Sequence, residues 1–118
     1  MQRTMLKSKI HRARVTGACI DYEGSVTIDA VLLEAADIME YEQVQIYNVS
    51  NGERFTTYAI AGEPNGGEIC LNGAAARKVS ANDLVIICTY VLMEDSACKG
   101  HKSKNVYVDR DNRMVKAG

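Results

Sequence analysis

Turn signals recur so often in this chain that no element can grow long. Gly17, Tyr22–Ser25, Asn51-Gly52, Glu63–Gly67, Asn72-Gly73 and Ala81–Asp83 are rich in Gly, Asn, Asp and Pro, residues whose backbones or side chains favour tight turns. Between them lie short β-rich runs: IHRARVTGACI, VQIYNV, RFTTYAI, EICL, LVIICTYVLM and NVYVD. Many short strands at such spacing predict a small barrel or sandwich. The clearest pair is VQIYNV–SNGE–RFTTYAI, a hairpin in which Asn51-Gly52 supplies residues that tolerate left-handed backbone. One helix is expected after Asp29, which can cap it, with Leu32, Leu33, Ala36 and Ile38 forming a narrow apolar stripe. A second helical turn is expected in the Ala-rich segment Gly73–Lys78. LVIICTYVLM alternates little, which suggests a strand covered on both faces, as beneath a subunit partner. A chain of 118 residues with no Trp forms one domain whose core an oligomeric interface would help to complete.

Composition narrows the function. The chain holds 14 basic and 15 acidic residues, a net charge of -1, which argues against nucleic acid or an anionic membrane as the main partner. No apolar run approaches the ~18 residues of a spanning helix, and MQRTMLKSKIHRARV lacks the apolar centre of a signal peptide. The expected compartment is the cytoplasm, where Cys19, Cys70, Cys88 and Cys98 stay reduced. No C-x-x-C pair is present, so a zinc site built on Cys98 and His101 is not expected.

The motifs of common enzymes are missing too. Neither Gly-rich phosphate loop occurs, nor a G-x-S-x-G elbow, and only His11 and His101 are available for a triad. An enzyme made from this chain would have to generate its own electrophile, or the chain is no enzyme at all. Taken alone, Gly24-Ser25 within YEGS reads as an ordinary turn, and Lys9 and Arg54 read as surface charges.

Considered jointly, RTMLKSKIHRARVT, YEGS, NVSNGERFTTYAI and LNGAAAR resemble the pyruvoyl-dependent aspartate 1-decarboxylases, in order and over most of residues 3–92. The resemblance implies a double-psi β-barrel with one or two short helices, assembled as a homotetramer with interfacial active sites. It implies self-cleavage between Gly24 and Ser25, giving a β chain of residues 1–24 and an α chain of residues 25–118. Ser25 becomes a pyruvoyl group that forms a Schiff base with L-aspartate, replacing pyridoxal phosphate or metal, and the product is β-alanine for pantothenate synthesis. Tyr58 is implied as the proton donor. Lys9, Arg54, Thr57, Asn72, Gly73, Ala74 and Ala75 are implied in substrate binding, with Tyr22 and His11 as possible lining. Gly24 is expected to matter because a Cβ would obstruct the bend at the cleaved bond. Other readings of the chain are a small nucleic-acid-binding barrel and a family member that stays intact; a partner protein for maturation is neither implied nor excluded.

One tension is visible in the sequence. Strand alternation places Arg54, Thr56 and Tyr58 on one face and Thr57 on the other. Either a bulge re-aims the strand, or Thr57 and Tyr58 serve sites between neighbouring subunits.

Overall fold

The computed structural model describes residues 1–118. The short β-rich runs become nine strands: β1 (Gln2–Arg14), β2 (Gly17–Cys19), β3 (Ser25–Asp29), β4 (Gln43–Asn48), β5 (Arg54–Gly62), β6 (Ile69–Asn72), β7 (Leu84–Glu94), β8 (Lys104–Val108) and β9 (Met114–Ala117). They join in the order β2-β6-β3-β5-β4-β7-β1-β8-β9. β1/β8, β2/β6 and β3/β5 are parallel, and the remaining pairs are antiparallel. The fold is mainly β and agrees with a small double-psi β-barrel, although hydrogen bonding does not close the sheet between β2 and β9. Its inner face holds one cluster of 18 buried apolar residues, among them Ile10, Val26, Ile28, Ile46, Leu71, Ile87 and Val106. No helix is long and apolar enough to cross a membrane.

The expected hairpin forms between β4 and β5, with Tyr47 opposite Arg54. Its turn differs from the expectation in one respect: Gly52 alone adopts a left-handed φ, of 80°. Asn51 is spared because the Asn48 side chain accepts the N–H groups of Ser50 and Asn51, at 2.9 and 3.3 Å. Gly17, read as a turn signal, instead opens β2 and pairs with Cys70. Three short helices occur where one or two were expected: α1 (Ala30–Ala35), the 3-10 helix Gly73–Lys78, and α2 (Asp95–Cys98), which no apolar periodicity announces. β7 lies between β4 and β1 and is buried at Val85, Ile87, Cys88 and Thr89. Beyond Thr89 it alternates, and Tyr90 and Leu92 stand exposed on the outer face.

Asp29 does more than cap α1. Its carboxylate is 3% exposed and accepts three backbone N–H groups: Val31 at 2.9 Å, Asn65 at 3.0 Å and Gly67 at 2.9 Å. The end of β3, the start of α1 and the turn before β6 are thereby tied to one side chain. Removing it strands buried donors at two separate places, each carrying a desolvation cost. Asp29→Ala should lower the unfolding free energy by about 2–4 kcal/mol, beyond the ~1 kcal/mol typical of a cap alone. Urea denaturation measures it; a loss near 1 kcal/mol would reduce Asp29 to an ordinary cap.

Candidate active site

β3 starts at the residue where the chain passes from surface to interior. Glu23 and Gly24 are exposed, whereas Ser25 is 3% exposed and already paired with Asn72 on β6. Asn72 is itself buried, and its Nδ2 donates to Ser25 Oγ at 3.0 Å and to Thr27 Oγ1 at 3.2 Å. The hydroxyl of Ser25 points back along the chain towards the carbonyl oxygen of Glu23, at 3.5 Å. On the other side β3 runs parallel to β5 with Val26 beside Ala59, so the preceding residues, Ser25 and Tyr58, come alongside each other. A cavity of about 390 Å³ opens there, lined by Gly24, Thr57, Tyr58, Ala74 and Ala75 among others. The structure therefore brings Gly24, Ser25, Thr57, Tyr58, Asn72 and Gly73–Ala75 to one place.

In the uncleaved chain the tight steric constraint at this point lies on Gly73. A Cβ on Gly24 would meet nothing within 4 Å, and its φ lies outside the left-handed region. Gly73 has φ +66°, and a Cβ there would stand 2.7 Å from both Cα and N of Gly24 and 2.9 Å from the carbonyl oxygen of Tyr22. The backbone before Ser25 lies directly against residue 73, which only glycine permits.

Lys9 and Arg54 lie elsewhere, on the outer face of the sheet. Lys9 pairs with Cys88, Cys88 with Gln45, and Gln45 with Thr56, a continuous row across β1, β7, β4 and β5. Arg54 stacks on the Tyr47 ring, Cζ 4.0 Å from its centroid, and Tyr47 shares a 2.7 Å hydroxyl hydrogen bond with Tyr90. That bond and burial push the Tyr90 phenol well above its ordinary pKa. Burial also pushes the Cys88 thiol up, opposed by a hydrogen bond with Tyr90 and by the nearby charges of Lys9 and Arg54. Tyr47 and Tyr90 were not singled out from the sequence. The hairpin register was the available signal, because it sets Tyr47 opposite Arg54.

The alternation problem resolves in one direction. The β4/β5 register runs unbroken from Tyr47–Arg54 to Gln43–Tyr58, so no bulge re-aims Thr57, and Thr57 and Tyr58 keep opposite faces. With strands about 4.8 Å apart, Lys9 lies about 14 Å across the sheet from Thr56, and Arg54 is two residues further along β5. His11 lies apart from Ser25, in a separate cavity of about 260 Å³ beside Tyr107. Tyr22 is 66% exposed and borders a cleft on the far side of Asn72, with Cys19 and Thr27. The four cysteines are free.

Known proteins resemble the chain over its whole length. The profile described as aspartate decarboxylase matches residues 1–115. A protein named aspartate 1-decarboxylase from Syntrophus aciditrophicus is 60% identical over 114 residues, 97% of this chain and 98% of that protein. One of the same name from Methylobacillus flagellatus is 61% identical over 114 residues, 97% of this chain and 90% of that protein. A third, from Syntrophobacter fumaroxidans, is 58% identical over 118 residues, 100% of this chain and 95% of that protein.

The two glycines make a paired test of the geometry. Gly73→Ala should cost at least about 1–2 kcal/mol, the strain of a left-handed L-residue, with the contact against Gly24 added. Gly24→Ala should change stability by no more than about 0.5 kcal/mol, as at an unconstrained surface position. Denaturant midpoints compare them directly; equal losses would mean that residue 73 does not confine the chain at Gly24.

Proposed function

The chain belongs to the aspartate decarboxylase family, and on that premise we propose that it converts L-aspartate to β-alanine and CO₂ for pantothenate synthesis, in the cytoplasm. We infer further that Ser25 is the precursor of a covalently held pyruvoyl group, so that the working protein is two chains, 1–24 and 25–118. The observation that carries this reading is the buried Ser25 hydroxyl, held by Asn72 at the point where an exposed Gly24 enters the sheet.

Maturation is chemistry of the chain on itself. Ser25 Oγ adds to the carbonyl carbon of Gly24, and the amide nitrogen departs, leaving an ester and a free amine on residue 25. Loss of the Cα proton of residue 25 then expels the Gly24 carboxylate, which takes the Cβ–O electron pair. Water hydrolyses the resulting dehydroalanine, releasing ammonia and leaving a ketone. The side-chain amide of Asn72 orients the attacking oxygen. Gly73 lets the backbone of Gly24 approach closely enough for that orientation. Residue 25 fits the group it would become: beside it lies a cavity whose wall includes Gly24, Ala74 and Ala75, small residues that leave room for a substrate next to the backbone.

When present, the pyruvoyl group supplies an electrophilic carbonyl that takes the substrate amine and accepts the electrons freed by loss of CO₂. The remaining tasks fall to side chains. Arg54 offers a planar fork to a carboxylate, and its stacking on Tyr47 limits the orientations of that fork. Lys9 offers a point charge for the other carboxylate. Tyr58, at the rim of the cavity, delivers the proton to Cα, and Thr57 lines the opposite side. Lys9 and Arg54 stand on the outer face of the sheet, away from Ser25 on the same protomer. The proposed assembly is therefore a homotetramer in which a neighbouring protomer's outer face completes the site. The exposed Tyr58, Tyr90 and Leu92 suit such an interface.

Intact mass spectrometry decides the maturation. Two fragments are expected, one ending at Gly24 and one beginning at residue 25 without a free amine, while Ser25→Ala should give a single uncut chain. Full activity from an intact chain with unmodified Ser25 would overturn the reading. In the matured protein, Tyr58→Phe should slow decarboxylation by about 10²–10⁴, the usual worth of a general acid. A rate equal to wild type would assign the proton to another group.

A further inference from the structure

The cavity around His11 is not used by any step above. β1 carries a register shift between Ile10 and Ala13, and within it Arg12 adopts a left-handed φ of 60°. Non-glycine residues hold such conformations where their surroundings fix them, often at binding sites. The shift turns Arg12 into the cavity of about 260 Å³ that His11, Arg14, Tyr107, Asp109 and Arg110 also line. Burial, then the charges of Lys9 and Arg12, holds the imidazole below its ordinary pKa. His11 Nδ1 is buried and has no hydrogen-bond partner, and its ring packs edge-on against Tyr107 with centroids 5.7 Å apart. A buried orphan of this kind calls for a partner.

The charge around that atom is unbalanced. None of the ion pairs in the structure involves Arg12, Arg14 or Arg110. Arg14 makes only a 3.4 Å side-chain contact, to the carbonyl of Asn82. Asp109 is the one carboxylate at the cavity, and its Oδ1 already accepts the N–H groups of Asp111 and Arg113 at 2.9 and 3.0 Å. Three arginines thus border one cavity, two of them, Arg12 and Arg110, exposed at its mouth, and its single carboxylate is already engaged.

We propose that this cavity binds a small phosphate-bearing anion, with Arg12 and Arg110 as its principal ligands and His11 as a hydrogen-bonding partner. The donors outnumber what two carboxylate oxygens can accept, whereas a phosphate presents enough acceptors for several guanidinium forks at once. The volume sits at the small end of ligand sites, which suits a phosphate with at most a short organic substituent. The assignment stands apart from the chemistry at Ser25.

Calorimetric titration of the full chain with inorganic phosphate tests it, at an ionic strength of about 0.1 M so that distant charges are screened. Saturable binding at one site per chain is expected, accompanied by a shift of the His11 imidazole signals in NMR. Arg12→Gln combined with Arg110→Gln should weaken binding about tenfold or more, whereas Lys99→Gln, a charge removed outside the cavity, should not. If the double Gln variant is poorly folded, Arg12→Lys with Arg110→Lys keeps the charge and should still lose part of the affinity with the fork. Absence of saturable binding, undiminished affinity in both double variants, or equally tight binding of succinate would overturn the proposal.

Discussion

The buried carboxylate of Asp29 fixes where β3 ends, and the rest of the site is measured from there. It holds the first turn of α1 and the turn before β6 at the same time. β6 is thereby set antiparallel to β3, so that Ser25 at the other end of the strand faces Asn72. β5 is parallel to β3 on its opposite side and carries Thr57 and Tyr58 up to the same end. Five residues therefore connect a structural anchor at one end to the buried Ser25 hydroxyl at the other. A slip of one residue in this strand would turn Ser25 to the opposite face and remove it from Asn72.

The site is also shaped by what is kept small. Gly24 lies where a Cβ on residue 73 would be, next to the Asn72 that holds Ser25. Ala74 and Ala75 continue the same provision along the cavity wall. The bulky and charged groups, Arg54, Tyr47, Tyr90 and Lys9, lie on the outer face, where they stack or hydrogen-bond among themselves. Such a division places Ser25 and the cations Lys9 and Arg54 on different surfaces of one protomer. It makes assembly part of the proposed catalytic arrangement rather than an addition to stability.

Local chemistry was legible before the fold was known. The Asp29 cap, the helical turn over Gly73–Lys78 and the β4–β5 hairpin all follow from residues within a few positions of each other. α2 was not legible, since four residues hold too little periodicity to be seen. The confinement at Gly73 was not legible, because its approach to Gly24 joins segments far apart in sequence. His11 was grouped with the site through the motif it shares with Lys9, yet a register shift in β1 and the arrival of β8 turn it to a different cavity.

By itself the sequence determined the short-range features: which runs are extended, where the hairpin turns, and where helices start. These depend on backbone preference and on atoms already bonded to one another. Only the tertiary structure decided that Ser25 meets Asn72, that Gly73 must lack a side chain, and that Thr57 and Tyr58 keep opposite faces. It also brought Arg12, Arg14 and Arg110 to the cavity that His11 lines. These facts rest on strand register between distant segments, such as Ser8 with Lys104. Register is selected by the burial of a whole sheet face, a collective quantity that no single stretch of sequence contains.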